Sequence, residues 1–318
     1  MRIAHALVII LMIFAITAPA IAFEAGTAGL LFLRLGVSER AAGMGEAYTA
    51  LAGDASALYW NPAGLARSSE TNLSFAHHEY MQSLRQEFVG VAHPTSFGTL
   101  AFGVTALTMD EMELREEVPS SVPLGHFSAF DMAFHFAWGL TFFDQVEAGV
   151  GAKWVYSRIY EESAKGMLFD FGLRHETRIP GLTVAGALLN VGQQFEYVSE
   201  SFDAPLTIKL GMALSAPFDM GDDDVILAYD LLLVGDGDVT SDDSLGEARA
   251  MSARHHLGAE WNFRNLAALR LGYKIGYDSQ DLSAGAGIRL GQYRFDYAFV
   301  NVSNDLGNSH RLGLGIDF

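Results

Sequence analysis

Two groups of residues in this chain have types and spacings that suit metal binding. Side-chain oxygens recur at Asp236, Asp238, Thr240, Asp242, Ser244 and Glu247, the spacing of an EF-hand loop that ends on a carboxylate. Ser241 stands where that sharp turn takes glycine, and no flanking helices are expected. A solvated acidic loop is therefore the preferred reading, with calcium on Asp236, Asp238, Thr240, Asp242 and Glu247 as the alternative. His256 and Glu260 share one face of an extended strand, as a ligand pair would. No third ligand accompanies them, and no metal is expected there. Gly-x-Ser-x-Gly, His-Glu-x-x-His and a phosphate-binding Walker loop are absent from the sequence, so neither a catalytic residue nor a cofactor is expected.

The elements that carry these residues begin with a leader. Arg2 precedes an apolar run from Ala6 to Ile16, and Ala18-Pro19-Ala20-Ile21-Ala22 follows. This is the pattern of a secretory signal peptide over residues 1–22, with the mature chain starting near Phe23. The 318 residues include no cysteine and carry a formal charge of −18. Disulfides and thiolate metal sites are thereby excluded, and nucleic acid is an unsuitable partner for so acidic a chain. Half the residues are apolar, yet no long apolar helix follows the leader. A membrane β-barrel accounts for this, because it spreads its lipid-facing residues over many alternating strands.

About fourteen such runs are present: Asn72–His78, Phe88–His93, Thr99–Leu107, Ala129–Phe142, Val146–Tyr156, Leu168–His175, Leu182–Leu189, Leu206–Leu214, Val225–Leu232, His255–Trp261, Leu266–Tyr277, Leu282–Leu290, Tyr293–Val300 and Ser309–Phe318. In the fourth, Phe130, Met132, Phe134, Phe136, Trp138 and Leu140 oppose Asp131, Ala133, His135, Ala137 and Gly139. One-residue alternation is a strand signal, incompatible with helical periodicity. In the last, Leu312, Leu314, Ile316 and Phe318 share a face, as the closing strand of an outer-membrane barrel would require.

The connections alternate in length. Long ones cover 79–87, 108–128, 157–167, 190–205, 233–254 and 301–308, with shorter turns between. That phase places the N-terminus on the periplasmic side. Trp138, Trp154, Tyr156, Trp261, Tyr277, Tyr293 and Tyr297 are expected on the lipid face as interfacial girdles. The opposite faces carry Glu147, Lys153, Asp170, Arg174, Lys209, Asp230, Glu260, Arg270, Lys274, Arg289, Arg294 and Asp296. These charges belong in a wet or salt-bridged lumen, because an apolar core would not tolerate them unpaired. The fold expected is a fourteen-stranded antiparallel transmembrane barrel over residues 71–318, in the outer membrane of a Gram-negative-type bacterium, among its lipid and lipopolysaccharide.

Residues 23–70 read differently. Ser38 is a fitting N-cap for a short Ala-rich helix through about Leu51; Asp54 suits a further cap, and Asn61-Pro62 puts a capping residue before proline at the first helical position. Small residues, among them Gly43 and Gly45, would let this segment pack closely as a plug. The stretch Arg40-Ala-Ala-Gly-Met-Gly-Glu-Ala-Tyr-Thr-Ala50, with Asp54-Ala-Ser-Ala57 and Trp60-Asn61-Pro62-Ala63-Gly64-Leu65, resembles the PorV/PorQ family, itself similar to the FadL-type fatty-acid transporters. The resemblance implies a FadL-like barrel with a lumenal plug in which Asn61, Pro62 and Ala63 match the plug motif. It further implies a role in docking secreted cargo proteins or the machinery of a type IX-like secretion route. The alternative it offers is uptake of long-chain fatty acids or another hydrophobic small molecule. A general diffusion porin fits less well, since a plugged barrel leaves little aqueous channel.

Overall fold

The computed structural model describes residues 29–80, 84–115, 122–142, 145–217, 223–235, 251–277, 281–302 and 308–318. Among them, fourteen antiparallel strands close into a barrel. They are β1 (Asn72–Glu79), β2 (Leu84–Thr95), β3 (Gly98–Leu114), β4 (Gly125–Phe142), β5 (Val146–Ile159), β6 (Glu162–Glu176), β7 (Leu182–Gly192), β10 (Thr207–Pro217), β11 (Asp224–Gly235), β12 (Met251–Phe263), β13 (Ala267–Ile275), β14 (Leu282–Leu290), β15 (Tyr293–Val300) and β16 (Ser309–Asp317). The short strands β8 (Phe195–Tyr197) and β9 (Glu200–Phe202) form a separate hairpin between β7 and β10. Each wall strand pairs with the next, and β1 pairs with β16 to close the sheet, Leu73 opposite Ile316 and Glu79 opposite His310. An even strand count brings both chain ends to one rim, the periplasmic one in barrels of this kind.

Side-chain polarity is inverted relative to a soluble protein. In β6, Phe169, Phe171 and Leu173 point outward and Asp170 and Arg174 point inward, with strict alternation of exposure. Leu173 is 60% exposed and Leu271 63%, whereas Asp170 is 1% exposed and Arg174 4%. Apolar surface of this extent is favourable only against hydrocarbon. No described helix is long and apolar enough to cross a membrane; the strands do so.

Several expectations change in detail. The connection expected over 157–167 shrinks to Tyr160-Glu161, because β5 and β6 both continue beyond the apolar belt. The connection over 190–205 contains the β8–β9 hairpin, whose Phe195 is buried with Leu30, Phe32 and Leu33 in one apolar cluster. Tyr277 lies in the lumen rather than the lipid: Gly276 at φ 89° breaks the alternation after β13, and the phenol meets His256 at 2.7 Å. The strand expected to end on Phe318 stops at Asp317, although Phe318 still exchanges two 2.9 Å backbone hydrogen bonds with Thr71. The segment expected to be a signal peptide, residues 1–22, and the loop with Asp236, Asp238, Thr240, Asp242 and Glu247 lie outside the described residues.

Candidate functional site: a lumenal plug and the cavity above it

Residues 29–70 fill the barrel. Ser38 caps α1 (Glu39–Gly43), its hydroxyl accepting from the Ala41 amide. The helix expected to reach Leu51 ends at Gly43, because Gly45 and Glu46 adopt φ of 61° and 64° and turn the chain. Gly45 is the natural occupant of this left-handed region, while Glu46 pays a conformational cost there. The turn lies against a strip of small residues on β12–β14. A Cβ on Gly272 would fall 1.8 Å from the Gly45 nitrogen, and one on Gly258 would fall 2.6 Å from the Met44 oxygen. The Gly45 amide also donates to Ser283 Oγ at 3.1 Å.

A second anchor uses the Asn-Pro-Ala motif. Asn61 is fully buried after α2 (Ala57–Trp60) and caps the 3-10 turn Pro62–Arg67, its Oδ1 accepting from the Ala63 amide at 3.1 Å. Its Nδ2 donates to the carbonyls of Thr49 in the plug and Leu173 in the wall. Both donors of this buried amide and its carbonyl oxygen are thus engaged, as burial demands. Pro62 and Ala63 press on Gly149 and Gly172, whose added Cβ atoms would come within 2.2 Å of the Pro62 carbonyl carbon and 2.0 Å of Asn61 Oδ1. Gly64 is required by Ala52, whose carbonyl oxygen would lie 2.3 Å from a Cβ.

Charged groups complete the attachment. Arg40 of the plug grips Glu260 with two bonds of 2.8 and 2.6 Å. Glu260 also accepts from Arg270, which reaches Asp296 at 2.6 Å. Arg294 then bridges Asp296 to Asp54 at 2.7 Å, back in the plug. The chain of six alternating charges begins and ends on the plug, and its wall members stand on β12, β13 and β15. On the far side Asp230 Oδ2 accepts from the Tyr48 amide, the Thr49 amide and the Thr49 hydroxyl. Replacing Asp230 by alanine should leave these donors buried and unpaired, raising amide exchange at Tyr48 and Thr49 about a hundredfold; unaltered protection there would contradict the assignment.

Burial alone would raise the carboxyls of Glu46 and Asp54. Lys274 and Arg311 around Glu46, and Arg294 with the Ser56 donors at Asp54, outweigh it and hold both below their ordinary range. A carboxyl lowered by docking stabilises the docked plug above its undocked pKa, and that contribution disappears as pH falls through the docked value. Docking should therefore be complete at neutral pH and weaken progressively below about pH 4. Hydrogen exchange of the plug amides, followed from neutral to acid, should accelerate; a flat profile would count against it.

Above the plug, toward the rim away from the termini, lies a cavity of about 410 Å³. Leu31, Leu33, Leu35, Leu189, Leu232 and Val234 give it an apolar flank. A bulge where β7 meets β6, with Asn190 at φ 63°, turns the adjacent Leu189 and Asn190 both inward. The cavity is also lined by Lys153, Lys209, Lys274 and Arg311, and by the plug's Glu46 and Tyr59. A second space of about 380 Å³, lined by Arg67, Arg174, Thr177 and Ser215, lies below the plug. The plug thus separates an outer vestibule from an inner one.

The lumenal charges expected from alternation all line the inner wall, and ten of the twelve are buried. His256 and Glu260 do not form a ligand pair: the carboxylate is held by two arginines and the imidazole meets Tyr277. Glu46, Tyr59 and Trp60 were not singled out as site residues, and only Glu46's place in the glycine-rich motif hinted at a special backbone.

The class defined by this geometry is a plugged transmembrane β-barrel of the outer-membrane type. Residues 24–166 match the model of the Uncharacterised protein family (UPF0164). No curated protein matches the chain. Among solved structures, the toluene transporter TodX of P. putida aligns with a TM-score of 0.59 at 9% identity, covering 89% of this chain and 99% of its own. The CymD monoaromatic hydrocarbon channel gives 0.57 at 12% identity, covering 89% and 97%. A Pseudomonas aeruginosa FadL homologue gives 0.53 at 11%, covering 94% and 100%. At these identities the likeness establishes a shared FadL-like fold.

Proposed function

We propose that this protein admits hydrophobic small molecules through the outer membrane, the plug closing the path between substrates. The observation that carries the reading is the outer vestibule: an apolar-flanked cavity, directly above a plug, inside a barrel of the fold found in hydrocarbon channels. The comparisons support this reading better than the docking of secreted cargo, which rests on the motif resemblance alone.

The test is uptake of radiolabelled toluene and dodecanol by cells making the intact protein or a variant with Leu33→Arg and Leu232→Arg, which fills the apolar flank. The intact barrel should speed uptake severalfold and the variant should not. Equal rates for both, with both barrels folded in the membrane, would overturn the proposal.

A further inference from the structure

Most cations of the wall strands face the lumen, but two neighbours on β5 and β6 face the lipid. Arg158 and Lys165 are exposed and fall in phase with the outward Trp154 and with Met167, Phe169 and Phe171, whereas the alternate residues Ser157 and Ala164 are each 2% exposed. In the β5–β6 ladder Ser163 stands opposite Arg158 and Tyr156 opposite Lys165, so the two cations are diagonal neighbours. Diagonal positions lie about 7–8 Å apart, within reach of two long side chains that close on one group. Among the described residues neither has a hydrogen-bond or carboxylate partner. Arg158 faces Phe130 on its other side. The acids nearest along the chain, Glu161 and Glu162, sit at the turn above, Glu162 in phase with buried Ala164 and not with Lys165. Arg85, another outward cation, differs in standing opposite Glu79.

The height of this pair matches that of a lipid head. The outward residues of β6 from Met167 to Leu173 are apolar, with Lys165 at one end and His175, beside a periplasmic turn, at the other. At about 3.4 Å per residue and about 40° of tilt, the rise from Lys165 to His175 is about 25 Å, the height of the apolar band of an outer-membrane barrel. Just below the cations runs an aromatic ledge: Tyr156 stacks on Trp154 at 6.2 Å between ring centres, and Trp154 meets Phe134 at 5.6 Å. Such rings settle where hydrocarbon gives way to heads. A single cation can snorkel to this depth without a ligand. Two that converge with no acid between them, in a chain of formal charge −18, leave a local positive charge that the protein does not neutralise.

We propose that the outer ends of β5 and β6 form a binding site for the phosphate of an anionic lipid in the outer leaflet. Arg158 holds the phosphate through paired N–H donors and Lys165 through its point charge. One acyl chain lies on the ledge of Phe134, Trp154 and Met167, the last two directly opposite each other in the ladder. The site fixes an anionic lipid at one sector of the wall, whatever the lumen carries. The sector of β1 and β2 supplies the contrast: its outer end presents Glu79 and Glu87, the latter bonded to His77 at 2.6 Å, and no such pair of cations.

Trp154, 39% exposed on the lipid face, is a built-in reporter. The experiment follows its fluorescence in whole barrels carrying Trp138→Phe and Trp261→Phe; the remaining Trp60 is buried in the plug, away from lipid. Nanodiscs of phosphatidylcholine receive a minor fraction of either brominated phosphatidylglycerol or brominated phosphatidylcholine, whose chains quench a tryptophan that they touch. Per lipid, the anionic quencher should be about tenfold more effective at Trp154. Arg158→Gln with Lys165→Gln should abolish that preference and leave quenching by brominated phosphatidylcholine unchanged, since the ledge itself is intact. A reporter placed at the same distance below Glu79, by Phe75→Trp in a barrel that also carries Trp154→Phe, should show no preference. Equal quenching of Trp154 by the two lipids overturns the site, as does a preference that survives the double variant or recurs at position 75.

Discussion

Replacing Gly149 by leucine should unseat the plug and convert a closed barrel into a conducting pore. The Gly149 position faces the Asn61–Ala63 turn so closely that a single Cβ would stand 2.2 Å from the Pro62 carbonyl carbon and 2.4 Å from the Ala63 nitrogen. Both are backbone atoms and cannot swing aside as a long side chain would. The strand holding Gly149 is locked into two neighbours by its full ladder of pairs, so the plug is the part that must give. Overpacking typically costs about 1–3 kcal/mol, and every 1.4 kcal/mol shifts a docked-to-undocked ratio about tenfold. The measurement is ion flux through single barrels in planar bilayers. Wild type should be almost silent, and the variant should show frequent large openings. The same substitution at Gly186, whose Cβ would have ordinary contacts at 3.6 Å or more, should leave the barrel closed. Open events in both variants, or in neither, would show that the glycine contact does not hold the plug.

The wall and the plug were legible in the sequence to different depths. Every one of the fourteen strands was visible, because a barrel wall with lipid outside and charge inside writes a period of two into each strand, and nothing competes with it. Strand ends were less visible. The outer parts of β3 and β4 leave the apolar belt, so their hydrophobic pattern fades although their hydrogen-bonded pairs persist as far as Leu114 and Gly125. Tyr277 was misplaced for a related reason: one glycine with positive φ resets the phase, and alternation beyond it no longer reports which side faces lipid.

In the plug, the capping residues were readable because they act locally. Ser38 and Asn61 bond to amides two or three residues onward. The length of α1 was not readable, since Ala-rich sequence favours a helix and the turn at Gly45-Glu46 is imposed from β12–β14, more than 200 residues away. The charges on the wall strands could be assigned to the lumen but not to partners. Which arginine meets which carboxylate depends on barrel register and on where the plug rests, and neither is a property of any single segment. Lys209 illustrates the limit: its face was evident, but its seat over the rings of Trp60 and Tyr59 depends on where the plug rests.

The charge chain gives the second large expectation, and it turns on which member is removed. Glu260 lies between Arg40 and Arg270, both bonded to it, and it is 1% exposed. Glu260→Gln keeps the shape and deletes the one charge that two guanidinium groups share. Arg270 retains Asp296, but Arg40 has no other carboxylate bonded to it among the described residues. Breaking a fully buried pair from one side costs about 3–5 kcal/mol, most of it the charge left behind, and the cost is smaller for Arg40, whose side chain is 25% exposed. Arg40→Met should cost far less, because Glu260 would still be held by Arg270. The double variant tests the account directly. If the penalty of Glu260→Gln arises from the stranded Arg40, removing Arg40 as well should restore much of the lost stability, giving a coupling energy of about 1–3 kcal/mol in a double-mutant cycle. The measurement is the urea midpoint of the barrel refolded in nanodiscs, read alongside hydrogen exchange of the α1 amides. Additive penalties would mean that Arg40 and Glu260 act independently, and that the plug is held by its glycine contacts without help from the charge chain.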